Sequence, residues 1–264
     1  MQYDQKKAQA WLKGVSAALP NFAEIIHAAK SNLLVIGAGV FDLYASQGWT
    51  PSLRRKTGDL DLSVGLLTGA DNYESLKKAL LSFKYAVSDA RMPYRFYSPN
   101  KIPGGLTYID LLAHPVGQGI SDEFAKKVMG VGSHFSLKGF QFADMESFNI
   151  EDKLTFPNPL AMVGLKRAAY LDDPERIKDL ADIAELGWGI VERGTHFEMQ
   201  ALWEKIKGHP DAAEVRKVLV ELACDSVVWD LNSARQELLK RTFSGSDIDE
   251  LIPSRLREWA SYLL

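Results

Sequence analysis

Two aspartates separated by one residue open the run Asp59-Leu60-Asp61-Leu62-Ser63-Val64, in which acid or hydroxyl alternates with an apolar side chain. That alternation is the period of a β-strand, whose successive side chains point to opposite faces. Leu60 and Leu62 would enter a core, and the two carboxylates would stand together on the other face. Carboxylates held this close repel unless a cation lies between them. Mg²⁺ suits the task, because it favours a few carboxylates plus phosphate oxygens over an all-protein cage. Two such ions roughly 4 Å apart clamp the attacking and leaving oxygens of a phosphoryl transfer. A third acid is then expected on a neighbouring strand. Asp110, within Thr107-Tyr108-Ile109-Asp110-Leu111-Leu112, is the candidate, since an unpaired acid in so apolar a run would be costly.

The elements that must position these acids are legible upstream. Leu33 to Ile36 is a short apolar run closed by Gly37-Ala38-Gly39, which predicts a buried strand ending in a tight turn. Val40 to Gln47 reads as a helix. Thr50 to Gly58, with Arg54-Arg55-Lys56, reads as a polar loop. Glycines at such a turn let backbone N–H groups approach a triphosphate at the N-terminus of the following helix. Arg55 and Thr57, just ahead of the acids, would contact phosphate or fix the loop. A dinucleotide-binding fingerprint uses the same glycines, with Asp59 about twenty residues on. It fits less well: Asp42 stands at the third glycine's place, and the apolar strand follows Asp59 instead of preceding it.

Further along, residues 4 to 18, 22 to 30 and 73 to 83 predict helices. Tyr94 to Tyr97 and Leu106 to Leu112 predict a hairpin across Asn100 to Gly105, and Val128 to Phe142 a further strand pair. From about Pro159, helices are expected at 160 to 171, 174 to 187, 196 to 207, 211 to 224, 226 to 241 and 246 to 262. The expected fold is therefore α/β (α+β) with a mixed sheet over residues 1–156. An all-helical C-terminal half over 157–264 follows, joined at Phe156-Pro157-Asn158-Pro159. Lys166 lies in an almost wholly apolar helix, where a lysine needs a phosphate or carboxylate partner, or must snorkel to solvent. Asp179, Asp182 and Leu186 fall along one side of the next helix. Pairing with Lys178 or Arg176 on a solvated face is as open there as a role in a site.

Composition narrows the field. The chain of 264 residues is 46% hydrophobic and 25% charged, as a globular protein is, and its formal net charge of −3 supplies no global basic field. One cysteine, Cys224, excludes an internal disulfide framework and a multi-cysteine zinc site, and its apolar run suggests a packed thiol. The N-terminus has no signal-peptide pattern and no run reaches the roughly 18 apolar residues of a membrane span, so a cytoplasmic, membrane-free protein is expected. The five histidines show no metal spacing. His114-Pro115 reads as a strand-end turn.

The run from Gly37-Ala38-Gly39-Val40 to Arg55-Lys56-Thr57-Gly58-Asp59-Leu60-Asp61-Leu62 resembles the signature of DNA polymerase β-like nucleotidyltransferases. More narrowly, it is similar to the AbiEii-type toxins of type IV toxin–antitoxin and abortive-infection systems. Tyr108 to Leu112 looks like their third-acid strand, Asn158 to Ala169 like their lysine helix, and Arg176 to Ile183 like their Lys-Asp-x-x-Asp helix. The resemblance covers about residues 33 to 187. Ala38 departs from the usual glycine or serine, and Tyr44 from a frequent histidine. The resemblance implies a nucleotidyltransferase fold and a two-ion Mg²⁺ site, with Mn²⁺ as an alternative. It also implies an NTP donor and an acceptor such as tRNA. Asp59 and Asp61 would hold both ions, and Asp110 would hold one and help deprotonate the acceptor. Gly37, Ala38, Gly39, Arg55, Thr57, Lys166, Lys178, Asp179 and Asp182 would bind nucleotide or complete the cleft. An antitoxin protein is the implied partner. Two rival readings keep the fold: a non-catalytic binding module, and a nucleotidyltransferase acting on a small molecule such as an aminoglycoside.

Overall fold

The computed structural model describes residues 3–51, 58–87, 89–100, 105–116, 119–132, 135–143, 145–223, 231–241 and 243–264. Arg55, Thr57 and Cys224 lie outside the described residues, so the roles expected of them stay with the sequence. The chain opens with α1 (Gln5–Ala18), α2 (Phe22–His27), β1 (Leu33–Ile36), α3 (Ala38–Gln47), β2 (Asp59–Leu66) and α4 (Asp71–Ser82). It continues with β3 (Ala86–Val87), β4 (Arg95–Tyr97), β5 (Tyr108–Pro115), α5 (Asp122–Met129), α6 (Phe140–Ala143), β6 (Phe148–Glu151) and β7 (Leu154–Phe156). After these come α7 (Pro159–Asp172), α8 (Ile177–Glu192), α9 (His196–Ile206), α10 (Ala212–Ala223), α11 (Leu231–Lys240), a π-helical turn at Asp247–Leu251 and α12 (Ile252–Ser261). None of the helices among the described residues is long and apolar enough to cross a membrane.

The strands form one mixed sheet in the order β3-β4-β5-β2-β1-β7-β6, in keeping with the α/β class expected. β2 runs antiparallel to β1 and parallel to β5, while β4 runs antiparallel to β5. The antiparallel β1–β2 pairing removes the dinucleotide-binding alternative, which needs two parallel strands joined by the intervening helix. The leucines of β2 do what their alternation requires. Leu60, Leu62, Val64 and Leu66 are all buried, with Ile109 and Leu111 of β5 beside them. α3 packs on that face, where Gly39 brings the helix to within 3.3 Å, measured from an ideal Cβ, of Leu60.

Two expectations about elements need correction. Among the described residues the strand pair expected between Val128 and Phe142 is not formed: Val128 and Met129 end α5, and Phe140 to Phe142 lie in α6. The apolar residues there follow helical spacing between good caps. Ser121 accepts from the Phe124 N–H at one end, and Gly130 closes the other with φ 75°. The second hairpin is instead β6–β7, flanking β1. The turn expected at Gly37 to Gly39 is also shorter, because α3 already begins at Ala38 and Gly37 is its N-cap, with φ 67° and ψ −150°. Only glycine reaches that backbone region without strain. At the far junction, Asn158 caps α7 by accepting from the Ala161 N–H, with Pro159 in the first turn.

Candidate metal centre

Across the centre of the sheet, one residue from each of four neighbouring strands falls in register: Ile36 on β1, Asp61 on β2, Asp110 on β5 and Arg95 on β4. Residues in register share a face, so Asp110 necessarily joins Asp61. Asp59 stands two residues before Asp61 and joins them. Each of these acids offers an oxygen, and the three oxygens lie within 4.8 Å of one another. This is the convergence the strand alternation demands, and such an oxygen-only donor set can hold a hard divalent ion.

Desolvation and like charge leave their mark on these groups. The carboxyl of Asp61 is raised to about 7, first by burial and then by Asp59 and Asp110, with Lys166 and Lys178 pulling the other way. Asp110 is 5% exposed, and burial also raises its carboxyl, against the opposing pull of Arg95. That arginine answers the question of what pairs with an acid inside an apolar strand. Its Nε and a terminal nitrogen donate to the two oxygens of Asp110 at 2.8 and 2.7 Å. The guanidinium also rests 4.0 Å from the centre of the Tyr108 ring. A two-pronged pair of this kind fixes the carboxylate's orientation as well as its charge.

Gly37 is held against Asp61. A Cβ built on Gly37 would meet Asp61 Oδ2 at 1.8 Å. The head of α3 thus touches the acid cluster, and the helix dipole points its positive end there. Gly37 and Ala38 line the cleft, whereas Gly39 faces the core and does not.

α7 and α8 close the cleft with a charged network. Lys166 is 5% exposed and does not snorkel; its ammonium is 2.8 Å from Asp179 and 2.6 Å from Asp182. Burial pulls that ammonium down, but the two acids outweigh it and hold it above the ordinary lysine value. Arg176 reaches Asp179 at 2.7 Å, and Arg241 at the end of α11 reaches Asp182 and Glu185 at 2.8 and 3.0 Å. Asp179 and Asp182 are therefore buried and paired, not a solvated face. They grip Lys166 and do not reach into the cleft as free anions. Lys178 lines the cleft and makes no ion pair among the described residues. Its charge eases both Asp61 and Asp110.

The cleft so formed encloses about 230 Å³. Asp59, Asp61, Asp110, Lys166, Lys178 and Asp179 all border it, as do Arg95, Tyr94, Phe135 and Lys138, which the sequence reading did not single out. Cross-strand register is non-local, so the pairing of Arg95 with Asp110 had no sequence signal. A more open groove of about 680 Å³ beside the start of α1 and Trp49 has no comparable acid cluster. His114 is corrected from a turn to a buried strand residue: its Nδ1 lies 2.7 Å from the Ser63 hydroxyl and its ring stacks on Phe140. Burial pulls its imidazole down to about 4. Comparison of the chain with protein-family models, curated proteins and solved structures returned no match.

Proposed function

We propose that this chain is a metal-dependent nucleotidyltransferase of the DNA polymerase β-like fold, with residues 1–156 as the catalytic part and a helical C-terminal half, 157–264, closing the cleft. The observation that carries the reading is the convergence of Asp59, Asp61 and Asp110 on adjacent parallel strands, with oxygens within 4.8 Å. The positive head of α3 at Gly37 and the cation Lys178 beside these acids add to it. Asp59, Asp61 and Asp110 would hold Mg²⁺ or Mn²⁺, which supplies charge neutralisation to a bound triphosphate. The backbone at Gly37 and Ala38, with Lys178, grips phosphate oxygens, while Lys166, fixed by Asp179 and Asp182, keeps a positive charge at the cleft wall. An acceptor oxygen bonds to the α-phosphorus, the bond to the β-phosphate breaks and pyrophosphate leaves. The acceptor's proton passes to Asp110. An RNA acceptor such as tRNA agrees with the cations Lys138, Arg176 and Lys178 bordering the cleft. An antitoxin partner and a cytoplasmic location follow from the resemblance and the composition alone.

The test is transfer of label from each α-³²P-labelled NTP to tRNA with Mg²⁺, beside Asp61→Asn. Labelled RNA from the parent chain only is the expected result. Label on an aminoglycoside but not on RNA would change the acceptor. A second reading, a binding module without turnover, has one specific observation in its favour: Arg95 engages both oxygens of Asp110. NTP binding without pyrophosphate release would favour it.

A further inference from the structure

The cleft has two chemically distinct ends. One carries the acids and Lys178. The other is apolar, walled by Leu112, Phe140 and Leu165, with the rings of Tyr94 and Phe135 beside them. The two rings stand edge to face, with centroids 5.3 Å apart and planes at 61°, and both are only partly buried. Tyr94 immediately precedes Arg95, the residue paired with Asp110, and its phenol feels the charges of Asp110 and Asp61, so the aromatic pair adjoins the acids. The segment carrying Phe135 is clamped to α7. Gly139 has φ 93°, and a Cβ there would meet the Leu165 backbone at 2.6 Å. Phe140 is held in turn by its stack on His114. The turn at Gly139 and the Phe140 ring are thus fixed before any ligand arrives, and Phe135 is held by its edge-to-face contact with Tyr94.

We propose that Phe135, with Tyr94, forms the subsite for the nucleobase of the donor nucleotide. The proposal rests on reading the acid end as a triphosphate site. A flat π-system is the part of an NTP that stacks on an aromatic side chain, and every base offers such a face, while Ser136 and Lys138 on the segment that carries Phe135 give the same cleft polar groups.

The test compares equilibrium binding of the four NTPs with that of inorganic tripolyphosphate, each with Ca²⁺ to hold off turnover, in the parent chain, Phe135→Ala, Phe135→Leu and Phe135→Tyr. The parent chain should bind at least one NTP more tightly than tripolyphosphate. Phe135→Ala and Phe135→Leu should weaken that NTP about tenfold, within the range of base–aromatic stacking, and leave tripolyphosphate unchanged, while Phe135→Tyr retains binding. Equal losses for NTP and tripolyphosphate would make the wall a packing element and overturn the subsite, as would unchanged NTP binding in Phe135→Ala. If the parent chain bound neither NTP nor tripolyphosphate, the triphosphate reading itself would fall and the subsite with it.

Discussion

Gly37 and Asp61 occupy one space: a methyl on the glycine would sit 1.8 Å from the aspartate's Oδ2. The glycine's φ of 67° and ψ of −150° add backbone strain for any other residue, of about 1–3 kcal/mol. Gly37→Ala should therefore displace the Asp61 carboxylate and cut Mn²⁺ affinity at least tenfold, with a loss of stability in that range. Titration calorimetry and thermal melting read the two effects. Unchanged affinity would show that Asp61 is not a ligand.

What the sequence reveals of this site is the part governed by local rules. The β2 alternation places Asp59 and Asp61 on one face because a strand has a period of two. The apolar run of β1 stops at Gly37 because the chain needs a positive φ there. Non-local pairing is a different matter. Arg95 meets Asp110 only through the β4–β5 register, and Arg241 meets Asp182 across 59 positions of chain. A strand pair is expected from Val128 onward, yet the Ser121 N-cap and the left-handed Gly130 bracket a helix that takes in Val128. The apolar run around Lys166 implies a partner for its charge or a reach to solvent, and that the partner is Asp179 and Asp182 depends on where α8 packs.

That packing changes what removing Lys166 should do. Asp179 and Asp182, 1% and 0% exposed, would keep Arg176 and Arg241 but lose the cation between them. Lys166→Met should cost about 3–5 kcal/mol, as for a buried pair deprived of one partner. Adding Asp179→Asn should recover part of it. Urea unfolding of the single and double variants measures both. A loss below about 1 kcal/mol, in the range of exposed pairs, would mean that the ion pairs do not form.

Acidity should govern both stability and cation binding. Asp61 is held at about 7 against an ordinary 3.8. Below 3.8 the folded and unfolded chains both carry the proton. Between the two values the unfolded chain has released it and the folded chain has not. Stability of the cation-free protein should therefore fall as pH rises through that window and level off above 7. Asp110, also raised, acts in the same direction. A cation must displace the Asp61 proton, so affinity should climb up to about tenfold per pH unit below 7 and flatten above it. Asp61→Asn should abolish binding and, at pH 8 without cation, raise the Tm by roughly 2–4 °C, the shift expected of about 1 kcal/mol in a domain of 150–250 residues. Melting curves and calorimetry from pH 5 to 8 test each point; a parent chain whose stability rose across this range would contradict the raised carboxyl.

The account turns on whether the three carboxylates jointly hold a divalent ion beside a triphosphate. Crystals grown with Mn²⁺ and a non-hydrolysable NTP analogue, with anomalous scattering recorded at the manganese edge, decide this most directly. The predicted result is a manganese peak coordinated by Asp59, Asp61 and Asp110, with triphosphate oxygens completing its shell at the head of α3. A manganese peak bound elsewhere, or a triphosphate bound away from Gly37 with Asp110 still paired to Arg95 and no ion between the acids, would contradict it.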